Sequence, residues 1–176
     1  MNTQLETLPI LIATDPALRK KARLVEQKDL EELKKIVPVM FNTMYEAAGI
    51  GLAAPQVGIG LRFFIMDVSK SEEETSEKYV IINPEIIEES EECSEYKEGC
   101  LSVPDQSSEV IRPEKIKIRY IDLDGVSREL EADGLLGRCI QHETDHLDGI
   151  LFIDHISSLK RNIIMRKVIK EQKRSR

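Results

Sequence analysis

The stretch Gln141–Gly149, QHETDHLDG, decides how this chain is read, because two histidines stand four residues apart with a glutamate beside the first. Residues four apart share one face of a helix, so His142 and His146 can hold a single metal ion. Glu143 is displaced by about 100° of helical turn, so it lies beside that face and within reach of water at the ion, placed as a general base. The bland alternative is a helix whose histidines are satisfied polar groups. Against it, only three histidines occur in the chain, and two fall at ligand spacing.

Two histidines alone hold a metal poorly, and catalytic sites generally use three protein ligands with a fourth position left for water. Cys139 shares the face but lies seven residues, about 10 Å of rise, from His146. It reads better as an apolar wall beside the metal. The metallopeptidase pattern H-E-x-x-H-x-x-G-x-x-H is matched through Gly149 and then fails, since position 152 is Phe152 and His155 comes three residues late. The remaining candidates are Cys100, Cys93, His155 and various acids. Cys100 stands out in Glu98-Gly99-Cys100-Leu101-Ser102, a tight glycine-flanked segment, whereas Cys93 reads as part of a charged loop.

Working outward, the metal helix is capped by Asp133 or a neighbour, carries Leu135, Leu136 and Ile140 on its apolar side, and ends at Gly149. A strand over Lys115–Leu123, a two-residue turn at Asp124-Gly125 and a returning strand over Val126–Glu131 lead into it. Upstream, strand-like runs Leu61–Val68 and Tyr79–Ile87 are separated by KSEEETSEK, an acidic surface loop, and Glu88–Glu98 forms a second acidic stretch. From Asp29, a candidate N-cap, Leu30, Leu33, Val37, Met40 and Met44 recur at helical spacing, and Pro38 inside that pattern predicts a kink or a restart. The first 28 residues read as an extended arm without evident chemistry.

Between the first helix and the strands lies GIGLAAPQVG at 49–58. It mimics a dinucleotide fingerprint, but a helical pattern precedes it and Pro55 falls where the following helix should run, so nucleotide binding is set aside. Its glycines let the backbone approach an extended ligand, and Gln56 can offer an amide N–H to a reacting oxygen. The expected fold is α+β: small antiparallel or mixed sheets around the central histidine helix, with an N-terminal helix and a C-terminal surface helix.

The 176 residues, 41% apolar and 32% charged, suit one compact domain. No apolar run approaches the ~20 residues of a membrane span, the first residues carry no targeting pattern, and three unpaired cysteines suit a reducing compartment; the cytoplasm is the expected location. The net charge of −7 is unevenly spread, with eight Lys and Arg against one Glu over 160–176. That tail, from about Ser157, reads as a half-amphipathic surface helix able to find phosphate-rich partners.

The chain resembles the peptide deformylases along nearly its full length, through GIGLAAPQ at 49–56, EGCLS at 98–102 and QHETDH at 141–146 in that order. The resemblance implies a hydrolase that removes the N-formyl group from the formylmethionine of new polypeptides. It implies Cys100, His142 and His146 as metal ligands, Glu143 as general acid and base, and Gln56 with the Leu101 N–H as oxyanion donors. Gly51 then pairs its backbone with the substrate, and Ile50, Gly99, Leu135 and Cys139 line the methionine pocket. The implied metal is Fe(II), with Zn(II), Ni(II) or Co(II) able to substitute, although the donor types alone favour zinc. Docking of the basic helix at the ribosome, a monomeric state, and no membrane or DNA partner are the further expectations. Ser107 and Arg138 depart from some relatives near the substrate. A metallopeptidase cutting internal amides and a non-enzymatic metal-stabilised module are the rival readings; formyl-peptide against internal-amide activity separates the first, and the presence of Glu143 with only three protein ligands argues against the second.

Overall fold

A computed structural model describes residues 5–69 and 77–176. The helices are α1, Leu30–Glu46; α2, Gly134–Leu147; and α3, Ser158–Arg174. The strands are β1, Gly51–Ala53; β2, Phe63–Asp67; β3, Lys78–Glu89; β4, Cys93–Cys100; β5, Val103–Pro113; β6, Lys115–Ile121; and β7, Ser127–Asp133. Five of the strands form an antiparallel sheet in the order β1-β2-β3-β6-β7, and β4 pairs with β5 in a separate hairpin. The fold is α+β, as expected.

The placement of α1 and α2 follows from the period-two alternation of strands. In β2, Phe63 and Ile65 point into one core with Leu33, Val37, Met40 and Met44 of α1. Phe64 and Met66 point the other way and pack with Ile140 and Leu147 of α2. A strand buried on both faces reads as the continuous apolar run that it is. Helix α2 thereby lies against the sheet, buried on most sides, and Gly137 lets it approach closely: a Cβ there would stand 3.0 Å from the Ala132 carbonyl oxygen. At its far end Gly149 adopts φ +75, where a Cβ would meet the Arg19 carbonyl at 2.5 Å, so only glycine fits the helix exit.

Several local expectations change. The acidic stretch Glu88–Glu98 is the end of β3 and most of β4, so Cys93 opens a strand; charges facing solvent on a two-stranded hairpin hid its strand character. The β6–β7 turn has three residues, Leu123–Gly125, between Asp122 and Val126, with Gly125 at φ +79, a tight turn followed by a left-handed residue. Helix α1 is continuous across Pro38, which is exposed, so the helix does not restart there. Asp29 accepts from the Glu26 N–H instead of capping α1, and Asp133 stands at the N-cap position of α2 without a side-chain cap bond. Leu135 is 47% exposed and not part of the apolar side of α2.

The N-terminal arm contains short 3-10 turns at Pro16–Arg19 and Gln27–Asp29 and does structural work. The Leu11 N–H donates to the Gln56 carbonyl and the Ala13 N–H to that of Ser102, so the arm pins two segments that border the site. In α3 only Ile164 and Val168 are buried, against Val103, Val110 and Phe152; Leu159 and Ile163 remain exposed. Most of the KSEEETSEK loop, at 70–76, lies outside the described residues. No helix among them is long and apolar enough to cross a membrane.

Candidate metal centre

Cys100 ends β4, where the pairing with β5 shifts register between Gly99 and Cys100. Such irregularities re-aim a side chain, and here the thiol comes to the face of α2 that carries the histidines. Among the described residues, Cys100, His142 and His146 form the cluster able to hold an ion, with one donor atom from each lying within 4.8 Å of the others. Cys100 Sγ is 3.2 Å from His146 Nε2. Cys93 is exposed on the hairpin, and His155 is paired with Asp145 at 2.8 Å, so neither joins the set. Phe152, at the position where the metallopeptidase pattern wants histidine, stacks on the His142 ring with centroids 6.3 Å apart.

The donor set fits a metal. One sulfur and two imidazole nitrogens, drawn together at the edge of a cleft, suit a four-coordinate divalent ion with a position left for water or substrate. His142 Nδ1 lies 2.9 Å from Glu98 Oε1, which leaves its Nε2 for the ion and orients the ring. Burial lowers the His142 pKa, but its contacts with Cys100 and Glu98 outweigh that and raise it well above the ordinary value. His146 is pushed well below it by burial and by the neighbouring positive groups.

Glu98, which sequence reasoning left unassigned, is the hub behind the candidate ligands. Its buried carboxylate accepts from Arg112 Nε at 2.7 Å and Nη2 at 3.0 Å, and from Arg138 Nη1 at 3.1 Å, besides facing His142. Burial would raise its pKa, yet the hydrogen bonds from His142 and Arg112 hold it down at about 2. Arg112 continues to Asp145 Oδ2 at 2.8 Å. The only sequence signal for this network was an acid and two arginines at positions with no periodic reason to be buried.

The cleft beside the donors has a volume of about 410 Å³ and is lined by Ile50, Gly51, Gln56, Gly99, Leu101, Leu135, Cys139 and Glu143 among others. All the substrate-side and catalytic residues expected from sequence therefore border one space. Glu143 is buried, its Oε2 has no hydrogen-bond partner among the described residues, and burial pushes its carboxyl up to about 7. A Cβ at Gly51 would lie 2.7 Å from Glu143 Oε1 and 2.8 Å from Cys139 Sγ, so the glycine is what lets strand β1 pass this carboxylate. Burial likewise raises the Cys139 thiol well above its usual pKa, in keeping with a wall and not a ligand. Gln56 is held by its own backbone: Oε1 accepts from the Ala53 N–H at 2.9 Å, which turns Nε2 toward Ser102 Oγ at 3.1 Å and Cys100 Sγ at 3.6 Å.

Arg138 also lines the cleft, but its guanidinium turns inward to Glu98 and leaves the rim. Ser107 is exposed on β5 opposite Gly99.

A Cys-His-His donor set, an adjacent buried carboxylate and an amide donor in one narrow cleft mark the chain as a metal-dependent hydrolase. The comparisons narrow the class. The family model for polypeptide deformylase matches residues 7–162. A peptide deformylase of Mesorhizobium japonicum is 50% identical over 159 residues, covering 90% of this chain and 89% of its own. One from Zymomonas mobilis is 51% identical over 169 residues, covering 94% and 95%. Among solved structures, a peptide deformylase from Legionella pneumophila superimposes with a TM-score of 0.88 at 42% identity, over 96% of this chain and 97% of that one. That of Ehrlichia chaffeensis in complex with actinonin gives 0.89 at 39% identity, over 94% and 98%. The chain belongs to the polypeptide deformylase family.

Proposed function

We propose that this chain, acting as one catalytic domain over 1–176, removes the N-formyl group from formylmethionyl peptides and releases formate, with Cys100, His142 and His146 holding one divalent ion. The observation that carries the reading is the convergence of those three donors, Glu143 and Gln56 on a single cleft. Fe(II) is the metal we assign, with Zn(II), Ni(II) or Co(II) able to occupy the same donors. When bound, the ion supplies Lewis acidity toward a water and toward the formyl oxygen.

The chain's own groups do the rest. Glu143, buried and with a free oxygen, takes the proton of the attacking water and later returns it to the leaving amine. A carboxyl raised by burial is suited to both steps near neutral pH. The Gln56 amide, fixed by its bond to the Ala53 N–H, and the backbone N–H of Leu101 stabilise the oxyanion. Gly51 pairs with the peptide backbone, and Ile50, Gly99, Leu135 and Cys139 receive the methionine side chain. Formyl is the smallest acyl group; the close approach of β1 to Glu143 at Gly51 favours it over acetyl.

The exposed basic residues of α3 give the protein a cationic face on an acidic body, which supports docking to the ribosome; a cytoplasmic monomer completes the proposal.

The test is formate release from a short formyl-methionyl peptide by protein prepared without oxygen and loaded separately with Fe(II) and Zn(II). Release, with Glu143→Ala lowering turnover about 100 to 10,000-fold while the metal stays bound, is the expected result. No release at confirmed occupancy, or an unchanged rate in Glu143→Ala, overturns the assignment.

A further inference from the structure

The reaction as derived gives Arg138 no task, yet this arginine is only 8% exposed and lies one helical turn before His142. Burying a guanidinium is costly unless its donors are all engaged. Nη1 donates to Glu98 Oε2 at 3.1 Å and to the Val110 carbonyl at 2.8 Å; Nη2 donates to the Ser94 carbonyl and lies 3.3 Å from Ser94 Oγ. Its Cζ sits 5.3 Å from the centre of the Tyr96 ring. Every one of these partners belongs to the β4–β5 hairpin, while Arg138 itself is rooted in α2.

That division matters because the ligand set is divided in the same way. Cys100 ends β4, whereas His142 and His146 stand on α2, and the two strands of the hairpin pair only with each other among the described residues. The bonds that join the hairpin directly to α2 are therefore made by side chains, Gln141 Nε2 to the Pro113 carbonyl among them, beside the arm, whose backbone bonds Ser102 through Ala13 and Leu147 through Ala22. Arg112, from β5, grips Glu98 within the hairpin and reaches α2 only through Asp145. Arg138 reaches across from α2 to both strands at once.

The geometry points to Arg138 as a positioning residue of the metal centre: it clamps the hairpin carrying Cys100 to the helix carrying the histidines and holds Glu98 against His142 Nδ1. The inference rests on Cys100, His142 and His146 being the ligands. Removing the fork leaves Glu98 free to shift from His142 and the thiol free to drift from the imidazoles. Partners behind a ligating histidine typically change metal affinity by about 10- to 100-fold, and Arg138, one contact further out, is expected at the lower end.

The experiment uses the full chain loaded anaerobically with Co(II), whose absorption reports the ligand set, and follows loss of the ion to excess chelator. Wild type should show a thiolate-to-cobalt band. Arg138→Met, which keeps the length of the stem and removes the fork, should shift the cobalt d–d envelope and speed loss of the ion about tenfold. Arg138→Lys, which keeps the charge but cannot reach Glu98, Val110 and Ser94 together, should fall between, and it carries the test if Arg138→Met does not fold. Leu33→Ala hollows the core beneath α1, a cluster that contains neither Glu98 nor any of the three ligands, and should destabilise the protein while leaving spectrum and release rate as in wild type. A wild-type spectrum and release rate in both Arg138 variants would overturn the inference, as would equal acceleration in Leu33→Ala, since release would then follow global stability. Absence of the thiolate band in wild type would overturn the ligand set itself, a failure visible before any variant is made.

Discussion

At the scale of single residues, Gly51 is the tightest constraint on the chemistry. Its missing side chain is the space that Glu143 and Cys139 occupy, with only 2.7 Å and 2.8 Å to an added Cβ. Gly51→Ala is expected to lower kcat by about 10- to 100-fold, because displacement of a catalytic group by about 1 Å costs that much, while the protein stays folded. Steady-state kinetics beside a melting curve check this; an unchanged kcat would mean that Glu143 yields without consequence. Gln56 shows the complementary case of a side chain immobilised in advance. Its oxygen is engaged by the Ala53 N–H, so the amide's donor side is committed to the site. Gln56→Ala is expected to reduce kcat by about 100- to 1,000-fold with metal content unchanged, as for loss of one oxyanion donor. Both proposed roles follow from motif positions alone, but the reason for glycine at 51 does not, since it lies in residues 88 and 92 positions further along the chain.

At the scale of elements, α1 and α2 obey different rules. Helix α1 is amphipathic and could be read from its period; its proline sits on the exposed side and costs a hydrogen bond without breaking the helix. Pro38→Ala should therefore stabilise the protein by about 1–2 kcal/mol, measured by urea unfolding, since an interior helical proline costs about 3 kcal/mol and part of that is offset in the unfolded chain. A loss of stability would show that a bend at Pro38 is needed for packing. Helix α2 buries polar residues as well as its apolar side, because it is covered by the sheet on one side and by the β4–β5 hairpin with its charged network on another. Its ends and its candidate ligands were legible; the burial of Arg138, Gln141 and Thr144 was not. The hairpin itself was missed as structure, because its outward charges resemble those of a loop and only its partner strand reveals the pairing.

At the scale of the whole molecule, α3 combines an anchor with a charged face. Ile164 and Val168 seal a core formed with Val103, Val110 and Phe152, while Arg166, Lys167, Lys170 and Lys173 are exposed. Replacing those four cations with Glu should change stability by no more than about 0.5 kcal/mol per site yet weaken association with ribosomes and flatten its salt dependence. Sedimentation with ribosomes at several salt concentrations reads both; unchanged association would remove α3 as the docking element. Deleting the helix is the poorer test, since it also opens the core that Ile164 and Val168 close. By itself the sequence determined the candidate ligands, the helix that carries two of them, four of the seven described strands and the family, because these depend on residue identity and short-range periodicity. Only the tertiary structure brought Cys100, already favoured among the cysteines, against the histidines, and only it showed which carboxylate stands behind His142 and why two arginines are buried. Those contacts join residues up to 46 positions apart, Cys100 with His146 being the longest among the ligands, and their distances are set by the packing of hairpin, sheet and helix, to which no local pattern responds.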